Sequence, residues 1–201
     1  IPEDITVPVI LAYGYSKNQK FPSIIFDDEK AAYRATSSLI ENGHKKIGLL
    51  AGDEKSIHTK NRLQGFVRAL YDNKILFNPE FVYQGNWERA SGYEGAKKLC
   101  KDGVTAIFAM NDIMAGGIYV YASENNINIG EDLSVVGFDN KEICEAYHPS
   151  LSTMALPLSE IGRTAGQMII RILRGEEVTE EEHIIKIACQ FIERESISKT
   201  F

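Results

Sequence analysis

Short, nearly continuous apolar runs alternate along the chain with longer segments in which apolar residues recur every three or four positions. The runs over residues 7–12, 23–26, 47–51, 81–83, 105–110 and 133–138 read as strands, each closed by a polar or glycine-containing stretch. Helices are predicted between them, over residues 28–42, 59–71, 90–100 and 112–125. Asp27 or Asp28 caps the first, Ala32, Ala35, Thr36 and Leu39 give it a small-residue face, and Gly43 ends it. Leu63, Phe66, Val67 and Leu70 form an i, i+3, i+4, i+7 stripe in the second. Met114, Ile118, Tyr121 and Ala122 line the fourth. Strands that are apolar throughout, joined by helices, describe an α/β fold with a parallel, doubly wound sheet sandwiched by helices. The tail differs: residues 148–153 read as irregular or extended, and residues 158–174 as a helix burying Ile161, Ala165, Met168 and Ile172. An acidic turn over 176–182 then leads into one long strand over 184–193, able to rejoin the main sheet.

With 201 residues the chain can bury about 70% of the surface its unfolded form exposes, enough for one or two domains. Apolar residues at 44% and charged residues at 25% are an ordinary soluble mixture. No window is apolar enough to span a membrane. A net charge of -6 argues against this segment gripping nucleic acid by charge and favours a small molecule or a protein partner. Cys100, Cys144 and Cys189 are widely spaced, with no CxxC and no Cys/His grouping, so neither a zinc site nor a disulfide framework is signalled. Free thiols suit a reducing compartment. The opening Ile1-Pro2-Glu3-Asp4 carries neither an initiator Met nor a signal pattern and reads as a chain that has lost an upstream part.

In an open parallel sheet, ligands bind beyond the carboxyl ends of the strands. Those ends deliver Gly52-Asp53, Gly85-Asn86-Trp87, Asn111-Asp112 and Asp139-Asn140 to one edge. A flat ring beside fixed carboxylates and carboxamides is what a sugar requires, its C–H face on the ring and its hydroxyls on the polar groups. Each residue also has a plainer use. Asp112 reads mainly as a helix N-cap, Asn111 as a turn former, Asp139 as an Asx turn and Trp87 as packing. Arg62 lies in the first turn of its helix, where the macrodipole disfavours a cation, so it calls for a specific acceptor. His58 precedes that helix as a loop residue, His44 lies away from the edge, and His183 follows three glutamates. No GxSxG, HExxH or GxxxxGK[ST] motif occurs, and nothing pairs a nucleophile with a base, so no enzyme is indicated.

Several segments, in order and spacing, resemble one family. Glu41-Asn42-Gly43-His44-Lys45-Lys46-Ile47-Gly48-Leu49-Leu50-Ala51-Gly52 is followed by Asn61-Arg62-Leu63-Gln64-Gly65-Phe66, Gly85-Asn86-Trp87 and Ser91-Gly92-Tyr93. Then come Thr105-Ala106-Ile107-Phe108-Ala109-Met110-Asn111-Asp112-Ile113-Met114-Ala115 and Glu131-Asp132-Leu133-Ser134-Val135-Val136-Gly137-Phe138-Asp139-Asn140. Pro149-Ser150-Leu151-Ser152-Thr153 and Ile192-Glu193-Arg194-Glu195-Ser196 close the series. From Val7 onward the chain resembles the effector-binding region of LacI/GalR-family bacterial transcription regulators.

The resemblance implies a type I periplasmic-binding-protein-like core of two subdomains joined by three crossovers. Residues 27–153 and 183–201 would form the C-terminal, effector-binding subdomain, and residues 1–26 and 154–182 an incomplete N-terminal one. It implies a sugar or similar small effector in the cleft between subdomains, no cofactor and no metal, a homodimer, and a cytoplasmic location. Operator DNA would be bound by a helix-turn-helix missing from this segment. Carried over position by position, Arg62 and Asp139 match polar effector contacts, Asn111 a hydroxyl-binding position, and Trp87 an aromatic wall. His58 falls where a small polar contact is usual and is larger. Leu158 stands where some members place an aromatic. Tyr13, with Tyr15 beside it, faces the cleft from the near side. Truncating Arg62 or Asp139 is then expected to abolish the effector response with little loss of stability. The main alternative with the same fold is a secreted sugar-binding protein of a transporter, and a further one is a nucleoside- or purine-responsive member of the same family, for which Ser56 offers no cationic or aromatic group.

Overall fold

The apolar runs from residue 23 to residue 139 are strands in the structure, a computed structural model that describes residues 5–15 and 20–200. The opening Ile1–Asp4 lies outside the described residues. The chain divides into two compact units. One holds the described residues up to Asp27 together with Pro157–Cys189; the other holds Asp28–Leu156 and the described residues from Gln190.

The first unit has a three-stranded parallel sheet of β1 (Leu11–Ala12), β2 (Ser23–Phe26) and β8 (Ile184–Ile187), with β2 central. Helix α6 (Leu158–Leu173) packs on β1 and β2 and buries Ile161 and Met168. β1 is shorter than its apolar run because Pro8 has no N–H to donate and Val7 is exposed. The acidic turn after α6 is tied back to the helix by Arg171, which pairs with Glu176 at 2.9 Å and Glu182 at 2.6 Å.

The second unit is built on a six-stranded sheet in the order β4-β3-β5-β6-β7-β9. Its strands are β3 (Ile47–Ala51), β4 (Val82–Gln84), β5 (Ala106–Ala109), β6 (Ser134–Asp139), β7 (Ser152–Ala155) and β9 (Gln190–Ile192). All neighbours are parallel except β7 and β9. The helices are α1 (Asp28–Glu41), α2 (Ile57–Asp72), α3 (Arg89–Lys101), α4 (Asp112–Glu124) and the short α5 (Ile143–Ala146). β4 lies on one side of β3 and β5 on the other, so right-handed crossovers put α2 on one face and α3 and α4 on the opposite face. α1 packs on α2, closely enough that a Cβ at Gly65 would strike the Glu29 carbonyl. β3 and β5 are buried throughout, as two-sided cover requires.

Two expectations for the tail change. The single strand over 184–193 is two: β8 pairs with β2 in the first unit, so residues from 183 do not all join the second unit, and only β9 reaches the large sheet. The irregular segment over 148–153 ends in β7, whose polar residues hid it. Their hydroxyls are all partnered: Thr153 donates to Asp112 at 2.7 Å, and Ser152 accepts from the Arg194 backbone N–H at 2.9 Å. Among the described residues no helix is long and apolar enough to cross a membrane.

Candidate functional site

Strand order reverses direction between β3 and β5, and the crevice beyond their carboxyl ends is where an open α/β sheet takes a ligand. Three polypeptide arms reach this point: the turn from β3 into α2, the end of β5 running into α4, and the end of β6. Arg62 spans the first two. Its Nε donates to Asp28 Oδ1 at 2.7 Å, and its Nη1 donates to the carbonyl of Met110 at the end of β5. Its guanidinium carbon lies 3.5 Å from the centroid of the Phe138 ring and 5.7 Å from that of Trp87. The acceptor that the sequence position of Arg62 called for is therefore inside the protein.

Asp28 is the hub of this cluster and is only 2% exposed. Its second oxygen, Oδ2, lies 2.7 Å from Nδ1 of His58 in the first turn of α2. One buried carboxylate thus fixes both the arginine and the histidine, and it also answers the positive end of α2. Sequence reasoning missed Asp28 because a helix cap accounted for it and the end of β2 was not counted among the rim loops. Phe138 was missed as an ordinary core residue of β6. Arg62 is 3% exposed, so truncating it leaves a buried carboxylate short of its cation; the expected small loss of stability is replaced by a large one.

Trp87 and Asp139 complete the rim in conformations that side chains disfavour, with φ of 71° and 114°. Such backbones cost on the order of 1–3 kcal/mol each and persist where surrounding structure imposes them, often at binding sites. Trp87 is half-buried over Gly52, where any Cβ would run into its ring. Gly52 is held in turn by its carbonyl, which accepts from Gln84 Nε2. Asn111 divides its amide: Nδ2 donates to the Trp87 carbonyl at 3.1 Å, and Oδ1 accepts from the Met114 N–H at 2.7 Å. Asn111 is therefore the N-cap of α4, a role the sequence reading gave to Asp112. Asp112 is instead fully buried, accepting from Thr153 and from the Lys141 N–H at 2.8 Å. Burial pushes the Asp139 carboxyl up to about 6; Arg62 and Lys141 oppose the rise, and Asp112 and Asp28 add to it.

The structure thus brings Arg62, His58, Trp87, Asn111 and Asp139 into one unit, and Arg62, Trp87 and Asn111 into a single chain of contacts. Tyr13 and Leu158 are carried by the first unit, where they are 42% and 56% exposed. Among the described residues no group of His, Cys, Asp and Glu is placed to hold a metal ion. The arrangement offers an aromatic surface, a fixed cation and a carboxylate at one rim, which is binding chemistry.

A family model described as a periplasmic binding protein-like domain matches residues 36–197. The chain is 32% identical over 201 residues to the HTH-type transcriptional repressor PurR of Aliivibrio salmonicida (strain LFI1238), covering 99% of this chain and 60% of that protein. It is 32% identical over 191 residues to the HTH-type transcriptional repressor CytR of Escherichia coli (strain K12), covering 94% and 55%. The chain therefore spans little more than half the length of these curated relatives. A transcription regulator from Lactobacillus plantarum superposes with a TM-score of 0.86 at 30% identity, over 96% of this chain and 74% of that one. A LacI family regulator from Enterococcus faecium with bound ribose superposes with a TM-score of 0.85 at 28% identity, over 96% and 72%.

Proposed function

This chain belongs to the periplasmic-binding-protein-like domain family as found in LacI-family transcription regulators, and from that premise we propose that it senses a sugar or similar small polyhydroxylated effector at the rim that carries Arg62. The observation that carries the reading is Arg62 itself. It is buried, locked by Asp28 and the Met110 carbonyl at the reversal of strand order, and flanked by the single Trp of the sequence. The ribose bound by the Enterococcus faecium neighbour supports the chemical class. Asp139 accepts hydrogen bonds from hydroxyls, Asn111 and Arg62 set the edges, and Trp87 receives the apolar face of the ring.

In this reading the domain binds and does not catalyse. It acts in the cytoplasm as a homodimer, and operator DNA is held by a segment outside these 201 residues, a helix-turn-helix of the kind that the relatives' names carry. The effector works by binding one conformation of the regulator more tightly than another. The test is a thermal-shift screen of the intact regulator against mono- and disaccharides, with purines and nucleosides alongside. Stabilisation by a sugar is expected, about 2.7 kcal/mol at a hundredfold excess over Kd. Stabilisation by a nucleobase and by no sugar would overturn the reading.

A further inference from the structure

We propose that Asp28 determines the specificity of this site, restricting it to uncharged sugars and excluding their phosphorylated or carboxylated counterparts. The inference rests on the sugar-sensing reading and adds the charge class of the effector. A guanidinium grips phosphate or carboxylate through two parallel N–H groups backed by an uncompensated positive charge. At Arg62 the charge is already compensated and the side-on pair is broken. Its Nε–H, one member of the side-on pair, is taken by Asp28 Oδ1 at 2.7 Å, and Nη1 is committed to the Met110 carbonyl. The Asp28 charge lies against the guanidinium in a region from which water is excluded, both side chains being at most 4% accessible. The imidazole of His58 is matched by the same carboxylate, at 2.7 Å from Oδ2.

Asp139 meets both signs: Arg62 and Lys141 favour its charge, and Asp112 and Asp28 oppose it. Burial raises the Asp139 carboxyl to about 6, and the two neighbouring acids add to the rise against Arg62 and Lys141. A phosphate entering here would meet carboxylates with their cations already spoken for. A neutral hydroxyl both donates and accepts, so it satisfies Asp139 and adds no charge. This is selection by built-in repulsion, and it places the discriminating group one shell behind the arginine that touches the ligand.

The experiment is calorimetric titration of the intact regulator with ribose, ribose 5-phosphate and inorganic phosphate, comparing the natural chain with Asp28→Asn. Asparagine keeps the size and one acceptor oxygen but removes the charge. In the natural chain ribose 5-phosphate should bind about tenfold more weakly than ribose, or worse, and Asp28→Asn should narrow that gap by about the same factor. A merely structural role for Asp28 would weaken both ligands together and leave their ratio unchanged, which would overturn the proposal. Ribose 5-phosphate binding the natural chain as tightly as ribose would overturn it without any variant. If ribose fails to bind, the sugar reading is in question, and the phosphate arm decides this proposal separately. Phosphate taken up only by Asp28→Asn supports it; phosphate taken up by the natural chain, or by neither, contradicts it.

Discussion

At the carboxyl rim of the six-stranded sheet the buried polar groups include a charged pair, Asp28 against Arg62, and two neighbouring backbones are strained at Trp87 and Asp139. At the amino end the buried polar groups are neutral. His44, 3% exposed, has Nε2 3.1 Å from the Ser198 carbonyl and 2.9 Å from the Ser134 hydroxyl, and Nδ1 2.9 Å from the Thr105 hydroxyl. A carbonyl only accepts, so Nε2 carries the proton and Nδ1 accepts from Thr105. Ser134 Oγ also accepts from the Ser198 N–H at 3.0 Å, and the Thr200 N–H donates to the Asn42 carbonyl at 2.9 Å. This end clasps the terminal segment with hydrogen bonds between neutral groups. The rim keeps charge, an aromatic and unfavourable dihedrals that clasping does not need. The difference separates groups that hold the fold from groups that the fold holds for another purpose.

The largest effect that tests this contrast is expected from Arg62→Ala. Removing one partner of the buried pair should lower stability by about 3–5 kcal/mol in chemical denaturation and abolish the effector response. His44→Ala should cost about 2–3 kcal/mol, from the cavity and the polar groups left unpaired, while leaving effector affinity unchanged in the folded protein. A smaller effect of opposite sign is expected from Asp139→Gly. Glycine accepts the φ of 114°, so stability should rise by about 1 kcal/mol at neutral pH while effector binding is lost. Loss of both stability and binding at Asp139 would remove the distinction between the two ends.

The smallest effect is the response to pH, where the ends should move in opposite directions. Burial lowers the His44 pKa, so the clasp contributes fully above about 6.5 and weakens as pH falls below the unfolded value. Asp139 is raised to about 6, so its ionisation opposes folding progressively as pH rises from the unfolded value through 6, and acid relieves that opposition. Between pH 7 and 5, the protection of the Ser198 amide against hydrogen exchange, corrected for the intrinsic rate at each pH, should therefore fall, and effector affinity should fall as Asp139 takes up its proton. Protection at Ser198 that does not change with pH would show that His44 does not hold the terminus.

The doubly wound sheet was legible because β3 and β5 carry no polar side chain, β6 is apolar between Ser134 and Asp139, and each is closed by a polar turn. β7 was not, because Ser152 and Thr153 look like loop residues until Asp112 and Arg194 are seen to bond their hydroxyls. The division of the last strand was equally hidden: nothing in Ile184–Ile187 says that its partner is β2. At the site, the place of Arg62 in its helix called for an acceptor, but the acceptor lies 34 residues away and already had an explanation as a cap. His44 was placed correctly away from the rim, while its partners, as distant as Ser198, emerge only on folding.

The central claim is that the effector meets Trp87 and Asp139 at the carboxyl rim; Trp87 is the single Trp of these 201 residues, and subtracting the emission of Trp87→Phe isolates its fluorescence in the intact regulator. The direct measurement is a fluorescence titration of the intact regulator with the sugar that calorimetry shows to bind. The account predicts a saturable change in Trp87 emission with the calorimetric Kd, absent in Asp139→Gly. Heat of binding with no change in Trp87 emission, or an unaltered titration in Asp139→Gly, would contradict it.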